Sequence, residues 1–130
     1  MAIPTITALY GSLNAILNVA LALRVSKARR LHKVSTGIGD SKELEIAVRI
    51  HANNAEFGPL AILMILLAEL CGGSSGLLHV LGGSLLVARI AHVVGMPMRA
   101  PNIYRVASNV ITWGGILVAS FYVLWLRMKG

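Results

Sequence analysis

The fold of this chain is decided by residues 106–126, VASNVITWGGILVASFYVLWL, which contain no Asp, Glu, Lys or Arg. A helix of about 20 apolar residues crosses the hydrocarbon core of a bilayer. Residues 1–23 and 70–88 are equally free of such charges, and residues 49–70 are apolar apart from a few polar positions. The sequence therefore predicts four transmembrane helices, at about 3–24, 43–70, 76–96 and 103–127.

The composition supports an integral membrane protein. The chain has 130 residues, of which 56% are hydrophobic and 13% charged, and its mean hydropathy is +0.74. Soluble domains carry about 25% charged residues, so a water-soluble enzyme is disfavoured. The apolar runs are too long for the strands of a barrel, which have about 10 residues. We expect an all-α transmembrane four-helix bundle, with residues 1–130 as one domain. The single cysteine, Cys71, excludes an intrachain disulfide and a cysteine-based zinc cluster.

The net charge of +7 is concentrated between the apolar runs. The first loop carries six basic residues and the third connection two, whereas the second connection, residues 72–76, carries none. The positive-inside rule then places the first and third loops in the cytoplasm. The first loop has no aromatic residue on which bases would stack, so anionic lipid is the expected partner rather than nucleic acid. The first apolar run lacks a preceding basic segment, and we expect a retained helix instead of a cleaved signal peptide.

A polar stripe interrupts the second apolar run, in the segment Arg49-Ile-His-Ala-Asn53-Asn-Ala-Glu56-Phe57-Gly-Pro59. Arg49, Asn53 and Glu56 fall within about 60° of one another on a helix. Charged residues in a membrane must be paired or face a wet cavity. The stripe is therefore either a lock that fixes helix register or a site for a polar, zwitterionic ligand. Pro59 is expected to kink the helix beside it.

Further polar residues lie on the first and third helices. Arg89 and His92 are spaced i, i+3 with Met96 one turn on. Arg89 either extends to the membrane interface or pairs with Glu56 inside the bundle, and the pairing is the expected arrangement. From the pattern alone, His92 is more typical of a packed histidine than of a ligand. Asn14 and Asn18 predict hydrogen bonds between helices, and two pairs predict close helix packing: Gly82–Gly83 and Gly114–Gly115. No two histidines show a zinc spacing, so no metal site is predicted, and no Ser/His/Asp or Cys/His arrangement indicates a protein nucleophile.

The Arg49-x-His-x-Asn53-x-x-Glu56-Phe57-x-Pro59 segment resembles the second-helix signature of the MAPEG family, membrane-associated proteins of eicosanoid and glutathione metabolism. The resemblance covers nearly the whole chain. It includes the basic segment Arg29-Arg30-Leu-His-Lys33-Val-Ser35 and the segment Ala88-Arg89-x-x-His92-x-x-Gly95. It implies a bacterial-type member in the inner membrane, assembled as a homotrimer, with glutathione as co-substrate in clefts between subunits near the cytoplasmic side.

The resemblance also implies roles for individual residues. Arg105 falls near an arginine that stabilises the glutathione thiolate, with Arg30 as the reserve candidate for that catalytic role. The implied glutathione-binding residues are Arg29, Arg49, His51, Asn53, Glu56, Phe57 and His92. Arg29 or Arg30 would hold a glutathione carboxylate, and a neighbouring subunit would supply His51. The chain departs from the leukotriene-synthase branch at Phe57, His92 and Met96, where that branch has tyrosines.

Three functions follow as alternatives. The first is a detoxifying glutathione S-transferase, or a glutathione-dependent peroxidase, that acts on hydrophobic electrophiles dissolved in the membrane. The second is a non-catalytic membrane protein of the same fold that binds lipid or a partner protein, which the missing tyrosines favour. The third, a small four-helix multidrug exporter, ranks last because such exporters need a carboxylate in the first helix and residues 1–23 have none.

Overall fold

A computed structural model describes residues 3–130, which form four helices and no strand. Their bounds are α1 Thr5–His32, α2 Lys42–Leu70, α3 Ser75–Gly95 and α4 Ile103–Lys129. The all-α prediction is confirmed, and all four helices are long and apolar enough to cross a membrane. Met1 and Ala2, which belong to the predicted domain, lie outside the described residues. We call one end of the bundle the basic end; it comprises the last turn of α1 and the loops 33–41 and 96–102.

α1 is longer than its apolar run. The sequence predicts an end at residue 24, but the helix continues to His32. Loss of hydropathy at Arg24 marks where the chain leaves an apolar environment, not where helical backbone stops, because Arg, Lys, Leu and Ala are all good helix formers. Cations in the last turn also interact favourably with the helix dipole. The helix ends at Lys33, which adopts a left-handed conformation with φ 55°.

The starts of the other helices are set by side-chain caps. Ser41, Ser74 and Asn102 each accept a hydrogen bond from the backbone N–H three residues later, which satisfies one of the free donors of the first turn. Asn102 also donates through Nδ2 to the carbonyl oxygens of Gly95, at 3.0 Å, and Arg99, at 3.1 Å. A single asparagine therefore ties the end of α3 to the start of α4.

The apolar core lies towards the end opposite the basic end. It consists of buried residues from α2, α3 and α4, namely Ala61, Ile65, Ala68, Leu78, Leu81, Leu85 and Ala119. Large apolar side chains elsewhere are exposed, for example Leu117 at 56% and Phe121 at 67% on α4. Such a surface fits a lipid environment, because lipid tails are as apolar as these side chains.

A hydrogen bond between asparagine side chains connects α1 to α2, and this confirms the sequence prediction for one of the two asparagines named. Asn54 Nδ2 donates to Asn18 Oδ1 at 3.1 Å, which is a hydrogen bond between the two helices. Asn14 instead donates to the carbonyl oxygen of Tyr10 in its own helix, at 2.8 Å. The interhelical prediction is confirmed for Asn18 and is wrong for Asn14 within this chain, because the Tyr10 carbonyl lies one turn away on the same helix.

Gly82 allows α1 and α3 to approach closely. A Cβ atom at Gly82 would lie 2.2 Å from Tyr10 Cδ2 and 2.4 Å from Tyr10 Cγ, whereas one at Gly83 would lie 3.7 Å from the Tyr10 hydroxyl. The packing predicted for this glycine pair is confirmed at Gly82. At Gly114 and Gly115 it is not found within the chain, since no atom lies within 4 Å of an added Cβ.

We expect Gly82→Ala to destabilise the protein by about 1–3 kcal/mol, because the added methyl group displaces the ring of Tyr10. Gly83→Ala is the matched control, one residue away in the same helix, and is expected to be neutral or slightly stabilising because alanine is the better helix former. Unfolding of both variants in detergent measures the difference. Equal stability of the two would show that the Tyr10 contact does not limit packing here.

Glu69, at the end of α2, caps the start of α1. Its carboxylate accepts hydrogen bonds from the backbone N–H of Ile6, at 3.0 Å, and of Thr7, at 2.7 Å, and from the Thr7 hydroxyl, at 2.6 Å. α1 has no side-chain cap of its own. A carboxylate is well suited to this place because free N–H donors and the positive end of the helix dipole meet there.

We expect Glu69→Ala to lower the free energy of unfolding by about 1–3 kcal/mol, because free backbone donors lose their acceptor. Asp40→Ala serves as control: Asp40 is exposed in the loop before α2, and its side chain makes no hydrogen bond or ion pair among the described residues. This substitution should change the free energy of unfolding by no more than about 0.5 kcal/mol. Denaturant unfolding in detergent measures both, and an equal effect would contradict the capping role.

Candidate functional site

A cavity of about 380 Å³ opens between α2, α3 and α4, towards the basic end. Its lining comprises Arg49, Ala52, Asn53, Glu56, His92, Met96, Arg105 and Asn109. The polar stripe of α2 therefore faces one cavity, as its helical spacing predicts. Arg49 and Glu56 are exposed, so the cavity is open to the surroundings of the chain and is not a sealed interior.

Arg89 is buried directly behind Asn53, one of the residues that line this cavity. It is 1% exposed and donates through Nη1 to Asn53 Oδ1, at 2.6 Å, and through Nη2 to Thr112 Oγ1, at 2.9 Å. The expected pairing with Glu56 is wrong: within residues 3–130 no ion pair of Glu56 is found, with Arg89 or with Arg49. Glu56 projects out of the bundle, whereas Asn53, about one turn earlier, lies against α3 and is in reach.

This contact orients the Asn53 amide. Because Oδ1 accepts from Arg89, the Nδ2 group is the part of the amide left for a ligand. Nδ2 makes no hydrogen bond among the described residues, and it is accessible to a ligand. An amide nitrogen can only donate. Asn53 therefore presents N–H donors to the cavity and is suited to an anionic or carbonyl group of a ligand.

His92 is fixed by a chain of hydrogen bonds to α4. Its Nδ1 lies 3.3 Å from Ser108 Oγ, and Ser108 Oγ donates to the carbonyl oxygen of Arg105, at 2.9 Å. The Ser108 hydroxyl has one proton, and it is donated to the carbonyl oxygen of Arg105. The hydrogen bond between Ser108 and His92 therefore needs its proton from the imidazole ring, which assigns the ring proton to Nδ1. His92 Nε2 is then an acceptor, and it is buried without a partner within the described chain. His92 is both packed, as the spacing alone predicts, and part of the cavity lining.

Arg105 is placed by the start of α4. Its backbone N–H donates to Asn102 Oδ1, at 3.1 Å, and Gly95 lies close against it, since a Cβ at Gly95 would be 3.0 Å from the Arg105 nitrogen. Asn109 follows one turn later and also lines the cavity. Sequence reasoning missed Asn109, although its i, i+4 spacing from Arg105 places it on the same helix face.

Four of the predicted site residues lie outside this cavity in a single chain. Phe57 packs against Trp113 with ring centroids 6.0 Å apart, and His51 is half-buried on α2. Arg29 Nη1 donates to the carbonyl oxygen of Gly37, at 2.8 Å, and so holds the first loop against α1. Arg30 is exposed on the last turn of α1. One chain thus gathers only part of the predicted residues.

Comparison with known proteins identifies the family. A family model described as the MAPEG family matches residues 7–125, which is nearly the whole chain. The chain belongs to the MAPEG family. The inner membrane protein YecN of Escherichia coli (strain K12) is 32% identical over 120 residues, covering 92% of this chain and 91% of the relative. YecN of E. coli O6:H1 matches to the same extent. That name states a location and no activity. The four apolar helices of this MAPEG protein are those of a multi-pass membrane protein.

The cavity of this MAPEG protein favours an anion. Arg49 and Arg105 line it with Glu56 as its one carboxylate, and Arg89 adds a buried positive charge behind Asn53. Coulomb attraction grows as the effective dielectric falls away from bulk water. Arginine also binds carboxylates through paired N–H donors. The arrangement therefore suits a ligand with more negative than positive groups that also carries one cation for Glu56.

Proposed function

We propose that this MAPEG protein is a membrane-bound glutathione S-transferase that joins the glutathione thiolate to electrophiles. The observation that carries the proposal is the single cavity that gathers Arg49, Asn53, Glu56, His92 and Arg105 on three helices. Glutathione has two carboxylates, one ammonium group and a thiol. Its net negative charge complements two arginines and one glutamate, with a third arginine buried behind them.

The cavity offers counterparts to some of the polar groups of glutathione. Arg49 and the Nδ2 group of Asn53 are donors suited to a carboxylate or a peptide carbonyl, and Glu56 is the acceptor for the ammonium group. Arg105 enters the cavity from α4 and is left to face the thiol. We assign Arg105 as the residue that stabilises the thiolate, with Arg30 as the reserve candidate.

The proposed chemistry needs no protein nucleophile. A free thiol has a pKa near 8.5, and the thiolate is the reactive form. Lowering that pKa by two units requires about 2.7 kcal/mol of preferential stabilisation of the thiolate. A guanidinium group in a partly desolvated cavity is able to supply this by preorganised electrostatics. Reduction of a hydroperoxide would begin from the same thiolate, so the proposal includes glutathione-dependent peroxidase activity.

The proposed site is completed by a second copy of the chain, in a homotrimer. Charged side chains at membrane depth are unfavourable unless they face water or protein, yet Arg49 and Glu56 are exposed in the single chain. Arg30 and His51 lie outside the cavity of their own chain and are available to that of a neighbour, whereas Arg29 would first have to release the carbonyl oxygen of Gly37. We place the basic end in the cytoplasm, at a bacterial inner membrane, where its cations meet anionic lipid.

Binding of glutathione is tested by the thermal stability of detergent-purified protein. A ligand that binds only the folded state adds about 2.7 kcal/mol at 100 times its dissociation constant. We expect glutathione to raise the unfolding temperature, and S-methylglutathione, which cannot form a thiolate, to raise it less. Arg99→Ala, in the loop before α4 and outside the cavity lining, is the control that should leave both shifts unchanged. No shift with glutathione in protein shown to be folded would contradict the proposal.

The second candidate function is a non-catalytic binding protein of the same fold. Phe57 favours it, because this side chain packs on Trp113 and offers no hydroxyl, and His92 offers a buried acceptor where a tyrosine would donate. The two candidates differ in turnover. Thiolate absorbance of bound glutathione and conjugation of a generic electrophile support the transferase. Glutathione or lipid in the cavity without either signal supports the binding protein.

A further inference from the structure

A second space in the bundle lies between α1 and α2, and we call it the asparagine groove. Its volume is about 270 Å³. A water molecule in the liquid occupies about 30 Å³, so the groove has room for more than a single bridging water. At about 100° per residue, its α2 residues Asn54, Gly58 and Ile62 face away from the polar stripe. An occupant of the groove is therefore separate from anything bound in the cavity.

The asparagine groove lies at the depth of the hydrocarbon core. Asn14 is at the centre of residues 5–23, the charge-free part of α1, and Asn54 is near the middle of α2. Ala15 and Pro59 line the groove and are exposed, so it opens on the side of the bundle. None of its lining residues is ionisable. This position favours an uncharged occupant that is dissolved in the membrane.

Two buried amide oxygens in the groove have no hydrogen-bond donor. Asn14 is 6% exposed and Asn54 is 3% exposed, and the Oδ1 atom of each makes no hydrogen bond among residues 3–130. Asn14 Nδ2 donates to the carbonyl oxygen of Tyr10, which only accepts, so the orientation of this amide is fixed. The hydrocarbon core has no water to supply donors, and buried polar atoms without partners are unfavourable. The groove therefore lacks hydrogen-bond donors that an occupant could bring.

Asn18 completes the polar side of the groove. Its Oδ1 accepts from Asn54 Nδ2, at 3.1 Å, which leaves its own Nδ2 as a donor. A hydroxyl group matches this set, because its O–H donates to an amide oxygen while its lone pairs accept from Asn18 Nδ2. A carboxylate has no proton to give to the two amide oxygens. An ammonium group would lose its hydration with no carboxylate in the lining to compensate.

We infer that the asparagine groove binds an uncharged amphiphile with a hydroxyl group, such as a long-chain alcohol, from the membrane. The hydroxyl group donates to Oδ1 of Asn14 or Asn54, and the alkyl chain packs on the apolar lining, which includes Gly11 and Ile62. The inference does not depend on the proposed transferase function, since the groove and the cavity lie on opposite faces of α2.

Photolabelling tests the inference. The full chain is reconstituted in phosphatidylcholine vesicles with a trace of a long-chain primary alcohol that carries a diazirine on its chain. The matched probe is the methyl ether of this alcohol, which has the same chain and no hydrogen-bond donor. We expect the alcohol to label residues 11–18 and 54–62 about fivefold more than the ether does, which is the value of about one hydrogen bond. Mass spectrometry of peptides locates and counts the labels.

Two variants and a control locate the binding site. Gly58→Ala fills the groove beside Asn54, since the added Cβ would lie 3.9 Å from its Nδ2 and Oδ1 atoms, an ordinary contact. It should lower labelling by the alcohol to the level of the ether. Asn14→Leu removes one acceptor and keeps the bond between Asn54 and Asn18, so it should reduce the preference for the alcohol. Gly114→Ala, on α4 with no atom within 4 Å of its Cβ, should change nothing.

Two results would overturn the inference. Equal labelling of the groove by the alcohol and the ether would show contact with alkyl chains alone, without recognition of the hydroxyl group. Labels found only elsewhere on the wild-type protein would show that the groove is closed to the probe, as it would be if a second copy of the chain covered it. Neither result bears on glutathione. Failure of glutathione to bind would overturn the transferase proposal and leave the expected labelling unchanged.

Discussion

Asn53→Asp is expected to weaken glutathione binding at least about 100-fold, because a carboxylate directly opposite the ligand's anionic groups is repelled by several kcal/mol. In the wild-type protein Arg89 occupies Asn53 Oδ1, so the amide offers only N–H donors to the cavity. Aspartate keeps the acceptor that Arg89 needs and removes those donors. Titration calorimetry of the purified variants with glutathione measures the change.

The alanine variant decides what Asn53 contributes. Asn53→Ala removes the donors without adding a negative charge, and we expect a loss of about tenfold, the value of one hydrogen bond to a charged group. The predicted order of affinity is wild type, then alanine, then aspartate. If Asn53 served only to hold Arg89, aspartate would bind glutathione better than alanine, since it preserves that contact and alanine does not. Thermal unfolding of both variants should show aspartate at least as stable as alanine.

Arg105→Ala is expected to lower kcat/KM for conjugation about 25-fold near pH 7, because the loss of about two pKa units of thiolate stabilisation, from about 6.5 to about 8.5, lowers the thiolate fraction by that factor. Without the guanidinium group, the pKa of the bound thiol returns towards 8.5. The deficit should therefore narrow as the pH rises above that value, because the thiolate then forms without help. A pH–rate profile of the wild type and the variant measures both features.

Arg99→Ala is the control for this prediction. Arg99 carries the same charge near the same helix start, but it lies outside the lining of the cavity. It should leave the pH–rate profile unchanged. A deficit in Arg105→Ala that is constant across the pH range would contradict thiolate stabilisation and would indicate that Arg105 positions the substrate. In that case Arg30 becomes the residue to test.

Part of the candidate site is readable from helical spacing. Arg49, Asn53 and Glu56 lie on one face of any helix that contains them, so their common cavity follows from local geometry. The same holds for Asn109, which follows Arg105 by one turn and was overlooked. Partners across helices do not follow in this way. Arg89 was expected to pair with the carboxylate of Glu56 and instead donates hydrogen bonds to Asn53 and Thr112.

Some helix ends were predicted well from the sequence and one was not. The starts of α2, α3 and α4 lie within one residue of the prediction, because each start is a local feature, fixed by the capping side chain of Ser41, Ser74 or Asn102. The end of α1 was placed eight residues too early, at 24 instead of 32. Hydropathy reports the surroundings of a segment, and the basic residues after Arg24 leave the apolar phase while they remain helical. Likewise, Gly82 proved to be a close contact and Gly114 did not, although their sequence context is alike.

The sequence by itself determined that this protein has four helices long and apolar enough to cross a membrane and that a polar stripe faces one side of the second helix. Both are consequences of periodicity and of the high free energy of bare backbone and charge in lipid. Only the tertiary structure decided which helix faces which. It placed Arg89 behind Asn53, oriented the His92 ring through Ser108, and brought Arg105 to the same cavity as the polar stripe of α2. These features depend on the distances between side chains far apart in the chain, and no local pattern records such distances.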